Sequence, residues 1–401
     1  MTTSMSPSEQ AADTYHYDAK IRFFGKLFTN FRASVIVRID VILHTGVFLM
    51  KRSTFTFAAL TILIAGVIGF GLVETPSSSA KSRQSTALIG LLPSSDAVMG
   101  FDSRRFFNEA MPQILSANKP MLSKIAKQLD ELNSKAGIDL RKFDAVAVGL
   151  AVTRVKDNEF DFDPVAIARG DVNSGALIAL AKLAANGKYR EEKVGDRTIY
   201  VFSADSAKGA ISQTAGKSGP AVDDMIGRTI DGFTKEMAIS AIDGNTLAIG
   251  SLARVRATLE GSTKVSPEIT SLLAGKENAV MSFAMAAPAG MAKMIPLDND
   301  ELGSNIDSIK FVSGSMDVAA AGTSLAVSAQ TVKPEQAKSL SEMLEGLQML
   351  GKTFLGSSKR ADQKVYARMI ESAKIKSSAN NVSLDLLIAQ PDIDVIVGAV
   401  K

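Results

Sequence analysis

The sequence predicts an α+β fold made of two related modules, each an antiparallel-rich sheet with helices on one face, behind one N-terminal transmembrane or signal helix. Two observations predict the modules. A short apolar run, AVMGF at 97–101, returns as AVMSF at 279–283, and the same order of helical and strand-like stretches follows each copy. An uncharged apolar run at 54–73 predicts the N-terminal helix.

The apolar run from Thr54 to Val73 is long enough to cross a membrane. Twenty helical residues at about 1.5 Å each reach roughly the 30 Å of a hydrocarbon core. Lys51 and Arg52 precede the run, so the positive-inside rule places the rest of the chain outside the cytoplasm. The small residues before Ala80 resemble a cleavage site, so 50–80 is either a signal peptide or a transmembrane anchor with a linker.

Residues 1–49 leave two alternatives open. They have mixed charge and no clean periodicity, which suits a cytoplasmic tail with a membrane-surface segment. Alternatively, translation starts at Met50, and 1–49 is a mis-annotated upstream extension. A methionine followed by a basic pair and an apolar run is how an export signal begins. Both histidines, His16 and His44, lie in this stretch.

Composition restricts the chemistry of the exported part. The chain has no cysteine, so a disulfide, a thiolate nucleophile and a zinc-thiolate site are excluded. Because both histidines precede Met50, the exported part also lacks an imidazole general base. The formal net charge is only +3, which gives no large-scale attraction to nucleic acid. We therefore expect no nucleic-acid partner and no cofactor.

The first module is predicted at 86–262. Asp102 can cap a helix, and Pro120 opens a second helix that Gly137 closes. Two strand-like runs at 143–155 and 162–172 then precede another helix.

The second module, at 268–401, repeats the order of strand, strand and helix, with the helix running from near Pro334 to Gly351. Each module closes on a hairpin pattern, with Asp243-Gly244 at one turn and Asn380-Asn381 at the other. A further hairpin around Gly195-Asp196, followed by a Gly- and Ser-rich loop, is an insertion in the first module.

Three segments carry a resemblance: LLPSSDAVMGFD, VGDRTIYVF and DGNTLAIGSLARVRATLEG. Together they resemble exported bacterial proteins of unknown function that have an N-terminal membrane segment and a Leu-Pro-x-x-(Ser/Thr/Asp)-Asp-Ala opening. The resemblance spans roughly 87–260. It implies an exported α+β module and brings no known active site to this chain.

Four acidic residues alternate within DNEFDFD and form a candidate calcium site: Asp157, Glu159, Asp161 and Asp163. In an extended stretch they share one side, and calcium prefers several oxygen ligands. The ordinary alternative is a charged hairpin edge that resists strand-to-strand aggregation.

Ser116 and Lys119 have the Ser-x-x-Lys spacing of serine-lysine acylating enzymes. The remaining parts of such a site are not recognisable, and a solvated junction before Pro120 explains the pair as well. No catalytic residue can be assigned.

We therefore expect a non-enzymatic binding or assembly module of the bacterial envelope. It would be held at the inner membrane by residues 54–73, facing the periplasm or exterior, or be secreted after cleavage near Ala80. An envelope protein or an apolar ligand is the expected partner. The alternatives are an envelope hydrolase with a histidine-free Ser-Lys or carboxylate site, and an apolar-ligand-binding protein.

Overall fold

The computed structural model describes residues 83–156, 159–203, 236–277, 279–294, 300–358 and 360–399. They belong to one compact unit, Ser53–Lys401. The predicted membrane segment, the tail at 1–49 and the region near Ala80 lie outside the described residues and stay predictions. In the part of the chain that is described, no helix has the length and apolar character needed to cross a bilayer.

The described part of the chain contains strands and helices. The strands are β1 Ala97–Phe101, β2 Phe143–Lys156, β3 Glu159–Gly170, β4 Tyr189–Val194, β5 Arg197–Ser203, β6 Glu236–Asp243, β7 Thr246–Gly250, β8 Met281–Ala286, β9 Ile309–Ala319, β10 Gly322–Thr331, β11 Lys374–Ser378 and β12 Asn381–Ala389. The α-helices before β8 are α1 Arg83–Ile89, α2 (Ser103–Arg105, a π-helical turn Phe106–Ala110 and Met111–Ile114), α3 Lys119–Ala136, α4 Ser174–Ala184, α5 Leu252–Glu260 and α6 Pro267–Ser271. Those after it are α7 Asp300–Asp307, α8 Pro334–Gly356, α9 Ala361–Ser372 and α10 Gln390–Ala399.

All twelve described strands form one antiparallel sheet, in the order β11-β12-β10-β9-β8-β1-β2-β3-β7-β6-β5-β4. The α+β class is confirmed, and so are the hairpins β2-β3, β4-β5, β6-β7 and β11-β12. The boundaries 86–262 and 268–401 stay predictions, because strands of both stretches share this sheet.

The sheet has an internal two-fold pattern about its centre. Outward from the centre, the first half runs β1-β2-β3-β7-β6, and the second runs β8-β9-β10-β12-β11 in the corresponding order. The hairpin β4-β5 extends only the first half and occupies its outer edge. This is the insertion expected from the sequence, and the loop that follows it, 204–235, lies outside the described residues.

The two halves meet at a seam, the pairing of β1 with β8. Gly100 lies opposite Ser282, Met99 opposite Phe283 and Phe101 opposite Met281. In the alignment of AVMGF with AVMSF, Gly100 corresponds to Ser282, while methionine and phenylalanine exchange places across the seam. The local two-fold axis therefore passes through the pair of Gly100 and Ser282.

The side chains of the sheet alternate between two faces. On the front face, Val98, Ala147 and Val165 pack against α1, α5 and α6. On the back face, Met99 and Met316 pack against α2, α3, α9 and α10. The helices α4 and α8 cover the outer strands of the same back face.

The helix α8 is longer than the sequence predicts. Gly351 was expected to end it, but α8 continues to Gly356. A Cβ atom at Gly351 would lie 3.0 Å from Cδ1 of Ile370, a residue of α9. This glycine therefore allows close packing of two helices, and the prediction that it terminates α8 was wrong.

Candidate functional site

The front face of β9, β10, β12 and β11 is a polar surface, here called the open face. Its side chains are Ser313 and Ser315 on β9, Ser324, Ala326 and Ser328 on β10, Ser383, Asp385 and Leu387 on β12, and Lys374 and Lys376 on β11. The front-face side chains of β10, β12 and β11 belong to none of the described hydrophobic clusters. Leu387 is 50% exposed even though it lies in the middle of a strand.

A row of hydroxyl groups crosses the open face. Ser313 lies opposite Ser328, Ser328 lies opposite Ser383, and Ser383 lies opposite Lys376. Residues that are directly opposite in an antiparallel pair point to the same face, with Cβ atoms about 4.5 to 5.5 Å apart. The hydroxyls of Ser328 and Ser383 make no hydrogen bond to the described residues, so both keep a free donor.

Lys276 lies at the other end of this row, where the covered part of the front face meets the open part. Its ammonium donates a hydrogen bond to Oγ of the buried Ser313, at 3.3 Å, and another to the carbonyl of Leu272 just after α6. Burial lowers the pKa of Lys276, while the carboxylate of Glu277 opposes the shift. A half-buried ammonium that lacks a close counter-ion would interact favourably with an added anion.

A second polar cluster surrounds Arg254 of α5, whose side chain is only 8% exposed. Its guanidinium donates to the carbonyl of Ser94 and, at 2.5 Å, to Oγ of Ser95. These contacts join α5 to the loop that opens the first module. Burial lowers the pKa of Arg254, and the carboxylates of Asp163 and Asp96 oppose the shift.

This cluster joins two segments quoted in the sequence analysis, LLPSSDAVMGFD and DGNTLAIGSLARVRATLEG, the second of which contains α5. The Ser95 hydroxyl comes so close to β2 that a Cβ atom at Gly149 would lie 2.6 Å from it. A carboxylate oxygen of Asp96 accepts a hydrogen bond from the backbone N–H of Val152, at 2.8 Å. We therefore assign LPSSD and SLARVR to one structural contact, which joins the opening loop to α5, rather than to a catalytic centre.

Charged residues also collect at the seam, beside the end of β1. Asp102 is 6% exposed and caps α2 by accepting a hydrogen bond from the backbone N–H of Arg105, at 2.9 Å. The Arg105 guanidinium forms an ion pair with Asp317 of β9, at 3.0 Å, and so connects the two halves. Burial raises the pKa of Asp102, the Arg105 contacts oppose the rise, and the carboxylates of Glu109 and Asp144 add to it.

The four calcium candidates are only partly described. Asp157 lies outside the described residues, and Glu159 opens β3. Asp161 and Asp163 follow on the same face of β3, where an Oδ atom of Asp161 accepts from the backbone N–H of Phe162. Among the described residues, no group of three potential metal ligands is present. The calcium site stays a prediction.

The Ser-x-x-Lys candidate lies between α2 and α3. The Ser116 hydroxyl accepts a hydrogen bond from the side-chain amide of Gln390, at 3.2 Å, and Lys119 is the first residue of α3. Gln390 belongs to α10 of the second half and also accepts from Gln113 of α2. Ser116 therefore takes part in the packing between the halves.

Sequence reasoning missed the contact between Lys276 and Ser313. The two residues are 37 positions apart, and neither belongs to a recognisable motif. The only signal available was the even spacing of serines, with Ser313 and Ser315 two positions apart and Ser324 and Ser328 four positions apart. That spacing indicates a polar strand face but not which strands lie side by side.

Comparisons with known proteins place the chain in no family. No family model matches it, and no curated protein matches it. Three solved crystal forms of TP0453 are similar in structure: form III with 9% identity and a TM-score of 0.37, form I with 10% and 0.35, and form IV with 9% and 0.38. Each covers 78% of this chain, and the chain covers 98%, 96% and 96% of theirs. With TM-scores this low, these likenesses add nothing to what the strands and helices show.

Replacing Arg254 tests whether its hydrogen bonds to Ser94 and Ser95 stabilise the fold. Arg254→Met removes the donors to Ser94 and Ser95 but keeps an apolar side chain in the helix. Hydrogen bonds from a charged donor contribute about 1.5 to 3 kcal/mol each, so we expect the free energy of unfolding to fall by at least about 2 kcal/mol. Arg256→Met is the matched control, because its guanidinium pairs at the surface with Glu192 and such pairs contribute about 0 to 1 kcal/mol.

Urea unfolding of both variants, followed by circular dichroism, gives the comparison. Equal midpoints for Arg254→Met and Arg256→Met would show that the buried contacts of Arg254 do not hold the opening loop.

Asp102 gives a prediction that depends on pH. Its folded pKa lies above its unfolded value, so the folded state holds the proton more tightly, and stability falls as the pH rises through the folded pKa. Asp102→Asn keeps the cap and removes the buried charge, so its stability relative to wild type should be greater at pH 7 than at pH 3. Asp102→Ala loses the cap and should cost about 1 kcal/mol relative to Asp102→Asn at both pH values.

The measurement is urea unfolding of the three proteins at the two pH values. A stability difference between wild type and Asp102→Asn that does not change with pH would contradict the raised pKa.

Proposed function

We propose that the protein is a non-enzymatic binding or assembly module of the bacterial envelope that presents the open face to a partner. One observation carries the proposal: the front side of β10, β12 and β11 is exposed and polar, while the back side of the same strands packs in the core. The strands are fixed from behind by α8, α9 and α10, so the open face is a rigid surface. A rigid surface loses little conformational entropy when it binds.

Three ionisable groups have a pKa that is shifted in the direction set by burial, and their contacts support a binding role rather than a catalytic one. Asp102 caps a helix, Arg254 holds a loop, and Lys276 closes the turn after α6. Each of these three side chains has a structural partner that accounts for its position. The alternative of a histidine-free hydrolase would need such groups to converge on one cleft.

Attachment to the membrane is part of the same proposal. The apolar run at 54–73 supports an anchor at the inner membrane, with 83–399 facing the periplasm or exterior. Cleavage near Ala80 would instead release the module. The membrane, through 54–73, and an envelope partner at the open face are the two interactions that we propose.

The absence of cysteine allows a direct test with single cysteines. Leu387→Cys places a thiol on the open face, and Met349→Cys places one on α8, where Met349 is 70% exposed. We expect a membrane-impermeant maleimide to label Met349→Cys equally fast in unlysed spheroplasts and in the purified chain. Leu387→Cys should react more slowly in spheroplasts, because the partner covers it.

Two results would count against the proposal. Labelling of Met349→Cys only after lysis would reject a location outside the cytoplasm. Equal labelling rates for Leu387→Cys in spheroplasts and in the purified chain would reject occupation of the open face.

A further inference from the structure

The open face carries more positive than negative charge. Lys276, Lys374 and Lys376 lie on it or at its border, with two carboxylates beside them: Asp385, directly opposite Lys374, and Glu277, next to Lys276. None of the three lysines forms an ion pair within the described part of the chain. A third carboxylate, Asp317, lies on the same face opposite Ser324, and its charge is balanced by the ion pair with Arg105. The face is therefore complementary to an anion.

A lysine lies at each end of the row of hydroxyl groups. At one end Lys276 donates a hydrogen bond to Ser313, and at the other end Lys376 lies opposite Ser383. From Ser313 on β9 to Lys376 on β11 the row crosses three strand spacings, or about 14 Å at about 4.8 Å each. One small anion cannot reach both ammonium groups, whereas a linear chain with repeated anionic groups can.

We infer that the open face binds a linear phosphate-bearing chain that crosses β9, β10, β12 and β11 along the row from Lys276 to Lys376. Phosphate oxygens accept hydrogen bonds from ammonium and hydroxyl donors alike, and the row offers both. Each of the intervening hydroxyls, on Ser328 and Ser383, has a donor available for such an oxygen.

The chain bound here would not be a single-stranded nucleic acid. Binding of unpaired bases needs aromatic side chains on which they stack. The described part of the open face, from Ser313 on β9 to Lys376 on β11, has no aromatic ring; Phe311, farther along β9, is buried in the front-face core. The complementary groups are therefore ammonium and hydroxyl donors for a phosphate backbone without bases.

This inference rests on the proposed function, since it names the chemistry of the partner at the same face. The probe is linear polyphosphate, compared with inorganic phosphate, titrated into the full-length chain in detergent and followed by calorimetry. We expect polyphosphate to bind more tightly than inorganic phosphate, because only the longer anion can reach both lysines. Binding should weaken as salt concentration rises.

Substitutions locate the binding. Lys376→Gln should weaken polyphosphate binding about tenfold, the loss expected for one charged hydrogen bond. Lys276→Gln should have a similar effect, but Lys276 also closes the turn after α6. Lys376→Gln, on the exposed edge strand, is therefore the deciding variant. Lys364→Gln removes the same charge from α9 on the other face and should leave the affinity unchanged.

Three outcomes would overturn the inference: no binding of polyphosphate, equal affinity of wild type and Lys376→Gln, or an equal loss in Lys364→Gln. If any of them occurs while Leu387→Cys is still protected in cells, the open face has a partner of another chemistry, and the proposed function stands. If the protection is also missing, both fail.

Discussion

The pairing of β1 with β8 is the constraint on which the rest of the structure depends. Five residues of β1 have a partner in β8, and this pairing turns two half-sheets into one. Two side chains of α2 add contacts between the halves: Arg105 forms an ion pair with Asp317, and Gln113 donates a hydrogen bond to Gln390. The back-face core is shared too, because Ile114 of α2 packs in one cluster with Met316 of β9 and Ile393 of α10. Neither half has a complete back-face core alone.

The two halves follow the same strand order but differ on the front face. In the first half, front-face positions hold apolar residues such as Ala147, Ile167 and Ala248, and α5 packs on them. In the second half, serines hold the front side of β9, β10 and β12, while α10, which follows β12 as α5 follows β7, packs on the back face. A helix gains little by covering hydroxyl groups, so the second half leaves its front face exposed where it has polar residues and the first half has apolar ones.

Local features of the fold could be predicted from the sequence, and long-range ones could not. The signals at Asp243-Gly244 and Asn380-Asn381 predicted their hairpins because a turn signal is local, although each turn lies one residue away from the predicted pair, at Gly244-Asn245 and Ala379-Asn380. The repeat of AVMGF and AVMSF was visible, but no turn connects β1 to β8, so their pairing was not. The predicted end of α8 at Gly351 was wrong, because the sequence does not distinguish a glycine that allows two helices to approach from one that ends a helix. The contact of Lys276 with Ser313 was hidden for a similar reason, since it depends on where α6 lies over the sheet.

Hydrogen exchange at the seam tests most directly whether the two halves form one folded unit. If they do, the backbone amides of Val98 and Met99 in β1, and those of Ser282 and Phe283 in β8, exchange only through global unfolding. Their free energies of exchange then equal those of the central amides of β2 and β9. A lower free energy for β8 and β9 than for β1 and β2, with two separate transitions in urea, would contradict a single sheet held together by the seam.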